Sequence, residues 1–365
     1  MAAIDTLFEM LLKKEGSDLH LAQGQPPKLR IHGQIKPIDH PPLSEEKITG
    51  YLREICLEDR WSRFQETGDL DFAYALGERA RFRANYYKHV AGIGAVFRII
   101  PSRILSLEQL GLPTVVREFA RMREGLVLVT GPTGSGKSTT LAAIIDHINS
   151  NQAKHIVTIE EPIEFVHGHK ESVIVQREVG TDVHSFADGL RLCAHSDVDI
   201  ILVGEMRDLE TISLAVSAAE RGILVFGTLH TNCAAKTIDR IIDVFPVKQK
   251  DAIRAMLAVS LKGVCSQLLC KRPAENPGRC AAVEILLATN ALSTVIREGT
   301  TNKIGNIIQA GKSSGMISMD DSIANLLEAG TIERREAYMK SFDKNRFRSD
   351  QGQGREAKDA QDQVK

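Results

Sequence analysis

The apolar positions of the first hundred residues follow short periods that change several times along the chain. Leu7, Phe8 and Leu11 have helical spacing, whereas the stretch from Arg79 to Tyr87 alternates apolar and polar residues as a half-buried strand does. These patterns predict a helix over 4–15, strands over 18–22, 28–32 and 34–38, a helix over 45–56, and strands over 69–75, 80–88 and 95–100. A small α+β domain that ends near residue 100 follows from this order.

A different pattern begins at Gly125, where short continuous apolar runs replace the alternating ones. Continuous runs are typical of strands that are buried on both faces of a parallel sheet. They predict strands over 126–130, 156–159, 173–176, 199–203 and 224–228, with helices over 108–122, 137–149, 185–194 and 209–221. Beyond Thr231 the patterns are mainly helical, over 249–269, 290–298, 319–329 and 333–341. The expected fold class is therefore α/β with a mostly parallel sheet.

Shifts in composition set the expected domain boundaries. A connector begins at Pro101 and Ser102, and the stretch from Lys344 onward is polar with few large apolar side chains, a composition typical of disorder. The predicted organisation is a first domain over 1–100, a linker over 101–112, a second domain over 113–343 and a disordered tail over 344–365.

The charge is nearly balanced, with 46 lysines and arginines against 47 aspartates and glutamates and a formal net charge of -1. This balance gives no whole-chain attraction to nucleic acid or to an anionic membrane. No apolar run approaches the roughly 18 residues that a membrane-spanning helix needs. The start of the chain does not read as a signal peptide, and six cysteines without a paired framework favour a reduced, cytoplasmic setting.

The cysteines also give little indication of a metal site. The sequence contains no C-x2-C pair, which zinc sites commonly use. Cys265 and Cys270 fit the helical apolar pattern over 249–269, so we expect buried thiols rather than metal ligands.

A glycine-rich segment directly follows the predicted strand over 126–130. Residues 131–138 read Gly-Pro-Thr-Gly-Ser-Gly-Lys-Ser and match the phosphate-binding P-loop. Glycines let successive backbone N–H groups face a phosphate, and the helix that follows adds the positive end of its dipole. We expect Lys137 to reach the β- and γ-phosphate oxygens and the Ser138 hydroxyl to coordinate Mg²⁺. A glycine-rich turn that matches by chance is the alternative.

Acidic residues follow two other predicted strands. Glu205 ends the apolar run that begins at Ile200, where it could polarise water or hold the shell of a metal ion. Glu160 and Glu164 follow the strand over 156–159, and ligands bind at the carboxyl ends of such strands. The alternatives are an ordinary buried strand with an acidic exit residue and a solvated acidic turn.

A histidine follows the last predicted strand of the sheet. His230 lies in Thr-Leu-His-Thr-Asn over 228–232 and could sense or orient a γ-phosphate. A lone histidine with a structural role is the alternative.

Six longer strings carry a resemblance to a known family. They are GPTGSGKSTTLAAIID over 131–146, IEEPIEF over 159–165, QREVG over 176–180, VGEMRDLETI over 203–212, FGTLHTN over 226–232 and AAKTIDRIIDVFP over 234–246. From Ser17 to about residue 330 the chain resembles the secretion ATPase superfamily, and within it the retraction ATPases of type IV pili. The resemblance implies a PAS-like N-terminal domain, a RecA-like ATPase core, and a ring of six identical subunits that hydrolyses ATP with Mg²⁺ to drive pilus retraction and twitching motility.

The resemblance also implies partners and a location. The ring would act in the cytoplasm, at the inner face of the cytoplasmic membrane, which it reaches through the platform protein of the pilus. Pilins are served indirectly, and a second retraction ATPase is a further partner. Nucleic acid is not an expected partner.

The motifs of the family assign roles to residues of this sequence. Glu205 corresponds to the Walker B catalytic acid, His230 to the second histidine of the His box, and Glu160 and Glu164 to the Asp box. Catalytic roles are expected for Glu205, Lys137, Glu164 and His230, and contacts to Mg²⁺ for Ser138 and Glu205. Contacts to the nucleotide are expected from Glu160 and from the Walker A residues Gly131, Pro132, Thr133, Gly134, Ser135, Gly136, Lys137, Ser138 and Thr139.

Three arginines complete the expected site. In the family, arginines of the N-terminal domain reach the phosphates, and Arg81, Arg83 and Arg98 lie in matching strands. The alternative is an exposed basic strand face without a ligand.

Departures from the family's motifs leave the function open at one point. Glu161 stands where the Asp box has aspartate, and Ile223 stands where the His box has its first histidine. The segment over 291–298 lacks the central Arg-Asn that the family associates with retraction, and 195–199 reads His-Ser-Asp-Val-Asp instead of Arg-Gln-Asp-Pro-Asp. An accessory or regulatory paralogue that binds ATP in the ring is therefore an alternative. A RecA-like nucleic-acid motor is another, which the charge balance and the single tryptophan disfavour.

Overall fold

The protein is described by a computed structural model over residues 2–31, 33–77, 79–100 and 103–348. These residues fall into two compact units. The first comprises the chain up to Ile104 together with Glu161–Val166, and the second comprises the chain from Leu105 to Glu160 and from His167 onward. Each unit has its own hydrophobic core.

A six-stranded antiparallel sheet forms the centre of the first unit, in the order β3-β2-β1-β6-β5-β4. The elements are α1 (Asp5–Lys13), β1 (Asp18–Ala22), β2 (Lys28–Ile31), β3 (Gln34–Pro37), α2 (Glu45–Glu54), α3 (Glu58–Thr67), β4 (Asp69–Leu76), β5 (Ala80–His89) and β6 (Gly92–Ile100). The order agrees with the predicted α+β unit except for α3. The sequence pattern does not predict α3, because only Trp61 and Phe64 of this helix are buried.

Aromatic side chains fill the core of the first unit. Phe8 is fully buried, stacks on Phe82 with ring centroids 4.3 Å apart, and meets Phe97 edge-on at 5.0 Å. Tyr86 is also fully buried, and its hydroxyl donates a hydrogen bond to the Leu52 carbonyl at 3.0 Å. Because side chains alternate along a strand, the arginines of β5 and β6 lie on the opposite face of the sheet.

A seven-stranded sheet forms the centre of the second unit, in the order β13-β12-β7-β11-β10-β8-β9. All neighbouring strands are parallel except β12 and β13. The strands are β7 (Gly125–Thr130), β8 (His155–Glu160), β9 (Val173–Glu178), β10 (Ile200–Val203), β11 (Leu224–Leu229), β12 (Leu261–Lys271) and β13 (Arg279–Leu287). The helices are α4 (Val116–Arg121), α5 (Lys137–Asn151), α6 (Phe186–Cys193), α7 (Leu209–Glu220), α8 (Ala234–Asp243), α9 (Lys250–Ser260), α10 (Asn290–Glu298), α11 (Ile304–Ala310), α12 (Met319–Glu328) and α13 (Arg334–Lys340).

The central strand β7 is buried along its whole length, because apolar clusters cover both faces of the sheet. Leu126 and Leu128 belong to the cluster on one face, and Val127 and Val129 belong to the cluster on the other. This burial explains the continuous apolar runs of the sequence. The predicted α/β class with a mostly parallel sheet is confirmed.

The predicted helical pattern over 249–269 is wrong in its second half. Only α9 is helical, and the chain then continues as β12, which pairs with β7 and β13. A strand that is apolar on both faces cannot be distinguished from a buried helix by periodicity. Cys265 and Cys270 therefore lie on β12, where both are fully buried, and burial raises the pKa of each thiol to about 12.

The predicted helix over 108–122 is also shorter than expected. Only α4 is helical in this stretch. Gly111 has a φ of 67°, and Pro113 lacks the N–H group that a helix interior needs. These two residues delay the start of the helix.

The C-terminal segment differs from the predicted tail in its first residues. Asn345–Phe347 form a 3-10 turn, and Phe347 is 2% exposed because it packs with Ile323 and Met319 of α12. The remainder of the predicted tail, over 349–365, lies outside the described residues, as do Pro101 and Ser102 of the predicted connector. In the described part of the chain, no helix is both long and apolar enough to cross a membrane.

Substitution Phe8→Ala tests the aromatic core of the first unit. Removal of a fully buried ring should lower the free energy of unfolding by about 3–5 kcal/mol. The control is Met10→Ala on the same helix, where the side chain is 41% exposed and the loss should stay within about 0.5 kcal/mol. Urea unfolding followed by the fluorescence of the single tryptophan, Trp61, measures both. Equal losses in the two variants would contradict this description of the core.

Candidate nucleotide site

The P-loop connects β7 to α5 and leaves no room for a side chain at two of its glycines. Gly131 has a φ of 149°, and a Cβ there would overlap the Gln267 carbonyl oxygen. Gly136, the N-cap of α5 with a φ of 90°, would place a Cβ 2.8 Å from Gln267 Nε2. Gly134 has nothing within 4 Å of its Cβ position. The loop is therefore packed against β12 at both ends and open at Gly134 between them.

Two side chains of the loop fit an anionic ligand. Ser135 is 3% exposed, and its Oγ has no hydrogen-bond partner among the described residues. A buried hydroxyl without a partner is costly, and a phosphate oxygen would supply one. Lys137 Nζ donates to the Gly131 carbonyl at 2.9 Å and to the Pro132 carbonyl at 3.3 Å. These contacts keep the ammonium group over the loop, where the phosphates of a nucleotide would bind.

Glu205 follows β10 and is held by an arginine and a histidine. Its Oε2 lies 2.7 Å from Arg207 Nη2, and its Oε1 lies 3.1 Å from His230 Nε2. Burial raises the pKa of the Glu205 carboxyl, but the interactions with Arg207 and His230 outweigh burial and leave the pKa below its ordinary value. Glu205 is therefore ionised at neutral pH and fixed in place, as a group that orients water must be.

Parallel register brings these groups to one edge of the sheet. β11 lies between β7 and β10, and Thr130 at the end of β7 is opposite Leu229 at the end of β11. The P-loop, His230 and Glu205 follow the carboxyl ends of β7, β11 and β10. Ligands bind at this edge in open α/β sheets.

Two of the three glutamates of the IEEPIEF string, Glu160 and Glu164, lie in different units. Glu160 ends β8, and its Oε1 accepts hydrogen bonds from Thr158 Oγ1 at 2.6 Å and from Gln176 Nε2 at 3.3 Å. Glu164 belongs to the first unit, where its Oε1 lies 4.0 Å from Arg83 Nη1. Of the two predicted site residues, the structure thus brings Glu160 to the sheet edge that carries the P-loop and groups Glu164 with the first unit.

The three predicted arginines share the face of the first unit's sheet that is opposite the aromatic core. Arg83 on β5 is the direct cross-strand neighbour of Arg98 on β6. Asp71 accepts a hydrogen bond from Arg83 Nε at 3.0 Å, and Asp18 accepts one from Arg98 Nε at 2.8 Å. Arg98 is still 70% exposed, and Arg81 Nε is buried without a hydrogen-bond partner in the described part of the chain. An anion that binds this face would compete with the two aspartates.

Two residues of the site are not found by the sequence analysis. Arg207 pairs with Glu205, and the only signal for it is its place two residues later in the VGEMRDLETI string. Gln267 packs behind the P-loop, where its Oε1 accepts a hydrogen bond from Thr140 Oγ1 at 2.8 Å. The prediction of a helix over 249–269 did not reveal the place of Gln267, because this residue lies on the strand β12.

The oxygen donors of the site fit Mg²⁺ that is held mainly by a nucleotide. Across the described ranges, no group of three or more His, Cys, Asp or Glu side chains could hold a metal ion. Mg²⁺ in nucleotide sites needs only one or two protein ligands, because phosphates and water supply the others. Ser138 in the first turn of α5 offers a hydroxyl, and Glu205 offers a carboxylate.

The fold and this site define a P-loop nucleoside triphosphatase: a buried parallel strand that leads through a glycine loop into a helix, with an acid and a histidine at the ends of two further strands. The chain belongs to the family described as "Type II/IV secretion system protein", which matches residues 1–336. The family indicated by the sequence motifs is thus confirmed.

Two relatives are similar to nearly the whole chain. The type IV pilus retractation ATPase PilT of Pseudomonas aeruginosa is 46% identical over 338 residues, which cover 93% of this chain and 98% of the relative. A twitching motility protein of Neisseria gonorrhoeae is 48% identical over 306 residues, which cover 84% of this chain and 82% of the relative.

A solved structure shares the fold. The crystal structure of the pilus retraction motor PilT with bound ADP is 40% identical to this chain and has a TM-score of 0.86. The match covers 95% of this chain and 98% of the other. A nucleotide is therefore bound by a protein of this fold.

Substitution Gly131→Ala tests the fit of the loop. The added Cβ would overlap a backbone oxygen in a strained conformation, so we expect the affinity for ATP to fall at least about tenfold. Gly305→Ala is the control, because nothing lies within 4 Å of its Cβ position in α11, and its affinity should equal that of the unmodified protein. Equilibrium dialysis with labelled ATP measures both constants. Unchanged affinity in Gly131→Ala would count against this site.

Proposed function

We propose that the chain is an ATP-hydrolysing motor that drives type IV pilus retraction and twitching motility. The observation that carries the proposal is the 46% identity to the retractation ATPase of Pseudomonas aeruginosa over 98% of that relative's length. The site supports hydrolysis, because Glu205 is an ionised carboxylate at the same sheet edge as the P-loop.

The P-loop is proposed to bind the phosphates of ATP. The backbone N–H groups of 131–136 and the N-terminus of α5 face the phosphate oxygens, and Ser135 Oγ gains the partner that it lacks. Lys137 exchanges its two carbonyl contacts for the β- and γ-phosphates, where it stabilises the charge that develops during transfer. Ser138 would hold Mg²⁺ directly, and Glu205 would hold it through the water shell of the ion. The ion would supply positive charge at the oxygens of the β- and γ-phosphates.

Glu205 is proposed to act as the base. Its carboxylate orients a water molecule towards the γ-phosphorus and accepts a proton from it as the new O–P bond forms and the bond to the bridging oxygen of ADP breaks. His230 and Arg207 hold the carboxylate in place during this step. The products are ADP and inorganic phosphate.

The remaining predicted residues take supporting roles in the proposal. Glu160 contributes to nucleotide binding at the end of β8, and Glu164 contributes to catalysis. Arg81, Arg83 and Arg98 neutralise phosphate charge of the nucleotide during the cycle, in exchange for their present aspartate partners where they have them.

The assembly in the proposal is a ring of six copies. Hydrolysis changes the shape of the ring, which acts on the platform protein of the pilus in the inner membrane and thereby on the pilins. A second retraction ATPase is a further partner, and the ring works in the cytoplasm at the inner face of the membrane. The proposal includes no nucleic acid.

An accessory role is the second candidate, and Ile223 favours it. This residue packs against the apolar core of the second unit, and its carbonyl accepts a hydrogen bond from Gly125 N at 3.1 Å. An apolar side chain at this place cannot donate or accept a proton, unlike the histidine that the family has there. In this role the protein binds ATP in the ring but turns it over slowly.

Complementation tests the proposal. Expression in a piliated bacterium without its own retraction ATPase should restore twitching, whereas Lys137→Ala should not, because it lacks the ammonium group at the phosphates. In the purified protein, the same substitution should slow ATP hydrolysis at least about 100-fold. ATP binding without turnover above the Lys137→Ala blank would favour the accessory role. Absence of ATP binding would contradict both candidates.

A further inference from the structure

A chain of buried hydroxyl groups lies directly behind the candidate nucleotide site. Thr130 ends β7, and its Oγ1 lies 2.9 Å from Ser266 Oγ on β12. Thr237 in α8 lies with its Oγ1 3.4 Å from Thr130 Oγ1 and 2.6 Å from Thr231 Oγ1. Thr130, Thr237 and Ser266 are fully buried. This chain of hydroxyl groups therefore runs from β12 through β7 to the segment that precedes α8.

Thr237 connects the two halves of this chain. Its Oγ1 also donates to the Cys233 carbonyl, at 2.8 Å. Because a hydroxyl has one proton and two lone pairs, Thr237 accepts from Thr231 while it donates to Cys233 or to Thr130. Valine has the same shape but neither the proton nor the lone pairs, so it can neither donate nor accept a hydrogen bond here.

The two ends of this series of buried hydroxyl groups adjoin the residues proposed to bind and hydrolyse ATP. Thr231 directly follows His230, whose Nε2 lies 3.1 Å from Glu205 Oε1. Thr130 directly precedes Gly131, the first residue of the P-loop. The hydroxyls thus connect the backbone on either side of the site, and they do so inside the protein, where hydrogen bonds are strong and geometry is tightly fixed.

We propose that Thr237 is a positioning residue, which fixes His230 relative to the P-loop through Thr231 on one side and Thr130 on the other. The proposal rests on the proposed ATP hydrolysis and assigns no contact between Thr237 and the nucleotide. Loss of the hydroxyl leaves the P-loop intact but lets the His230 segment move, so that Glu205 loses a fixed partner.

A buried acid anchors the helix on which Thr237 lies. Glu284 on β13 is directly opposite Ser266 on β12 and is 8% exposed. Its Oε1 accepts a hydrogen bond from the backbone N–H of Ala234, the first residue of α8, at 2.7 Å. Burial raises the pKa of the Glu284 carboxyl and outweighs the opposing effect of this hydrogen bond. The hydrogen bond to Ala234 N holds the N-terminus of α8 against β13.

A matched pair of variants separates positioning from mere packing. Thr237→Val keeps the volume and removes the hydroxyl, whereas Thr237→Ser keeps the hydroxyl and removes a methyl group. Ser172→Ala is the control, because it removes another buried hydroxyl with two main-chain hydrogen bonds, at the amino end of β9. The full-length protein is used in every case.

The kinetic readout is the split between kcat and KM for ATP. Thr237→Val should lower kcat about tenfold and leave KM within about twofold, because the ground-state contacts to the nucleotide persist. Thr237→Ser and Ser172→Ala should retain the kcat of the unmodified protein. A normal kcat in Thr237→Val, or an equal loss of kcat in Thr237→Ser, would overturn the positioning role. The proposed function would still stand as long as the unmodified protein hydrolyses ATP.

A second readout does not depend on turnover. Hydrogen exchange of the backbone amides over 226–236 reports how firmly the His230 segment is held. Exchange should speed up several-fold in Thr237→Val and stay unchanged in Thr237→Ser and Ser172→Ala. If the unmodified protein did not hydrolyse ATP, the proposed function would fail, and unchanged exchange in Thr237→Val would separately overturn the positioning role.

Discussion

Backbone N–H groups must face the phosphates of a triphosphate to balance their negative charge. This constraint explains much of the structure of the second unit. Glycine is needed at 131 and 136, because a side chain at either place would meet Gln267. The position of the loop is fixed only if the strand before it is rigid. That strand, β7, is buried on both faces by two apolar clusters. The hydrophobic effect thus holds the strand, and the strand positions the polar loop.

Hydrogen bonds between polar groups hold the side chains of the site in place. Glu205 is partly desolvated, a cost that Arg207 and His230 offset. Behind them, Thr237 and its hydroxyl partners are fully enclosed, and a buried network of this kind is stabilising only when each member is satisfied. Arg83 and Arg98 of the first unit differ, because each pairs with an aspartate on the sheet face opposite the aromatic core. An exchange of Asp71 for phosphate at Arg83 is therefore less costly than a change inside the network would be, because the two side chains of this pair are 42% and 36% exposed.

The sequence predicts the parts of the protein in which one physical rule dominates. Buried parallel strands, the glycine loop and its helix are found within a few residues, because apolar runs and glycine spacing have few alternatives. It fails at β12, where a strand with two apolar faces resembles a helix, and this error hides Gln267. It also does not reveal that Glu160 and Glu164 belong to different compact units, since only tertiary contacts divide them.

The role of Glu205 as the base is the central claim, and one substitution tests it directly. Glu205→Gln keeps the size of the side chain and removes its charge, so ATP should bind with the affinity of the unmodified protein. Phosphate release under single-turnover conditions should be slower by at least about 100-fold, since a positioned general base contributes roughly that much. Phosphate release at the unmodified rate, with normal ATP binding, would contradict the account.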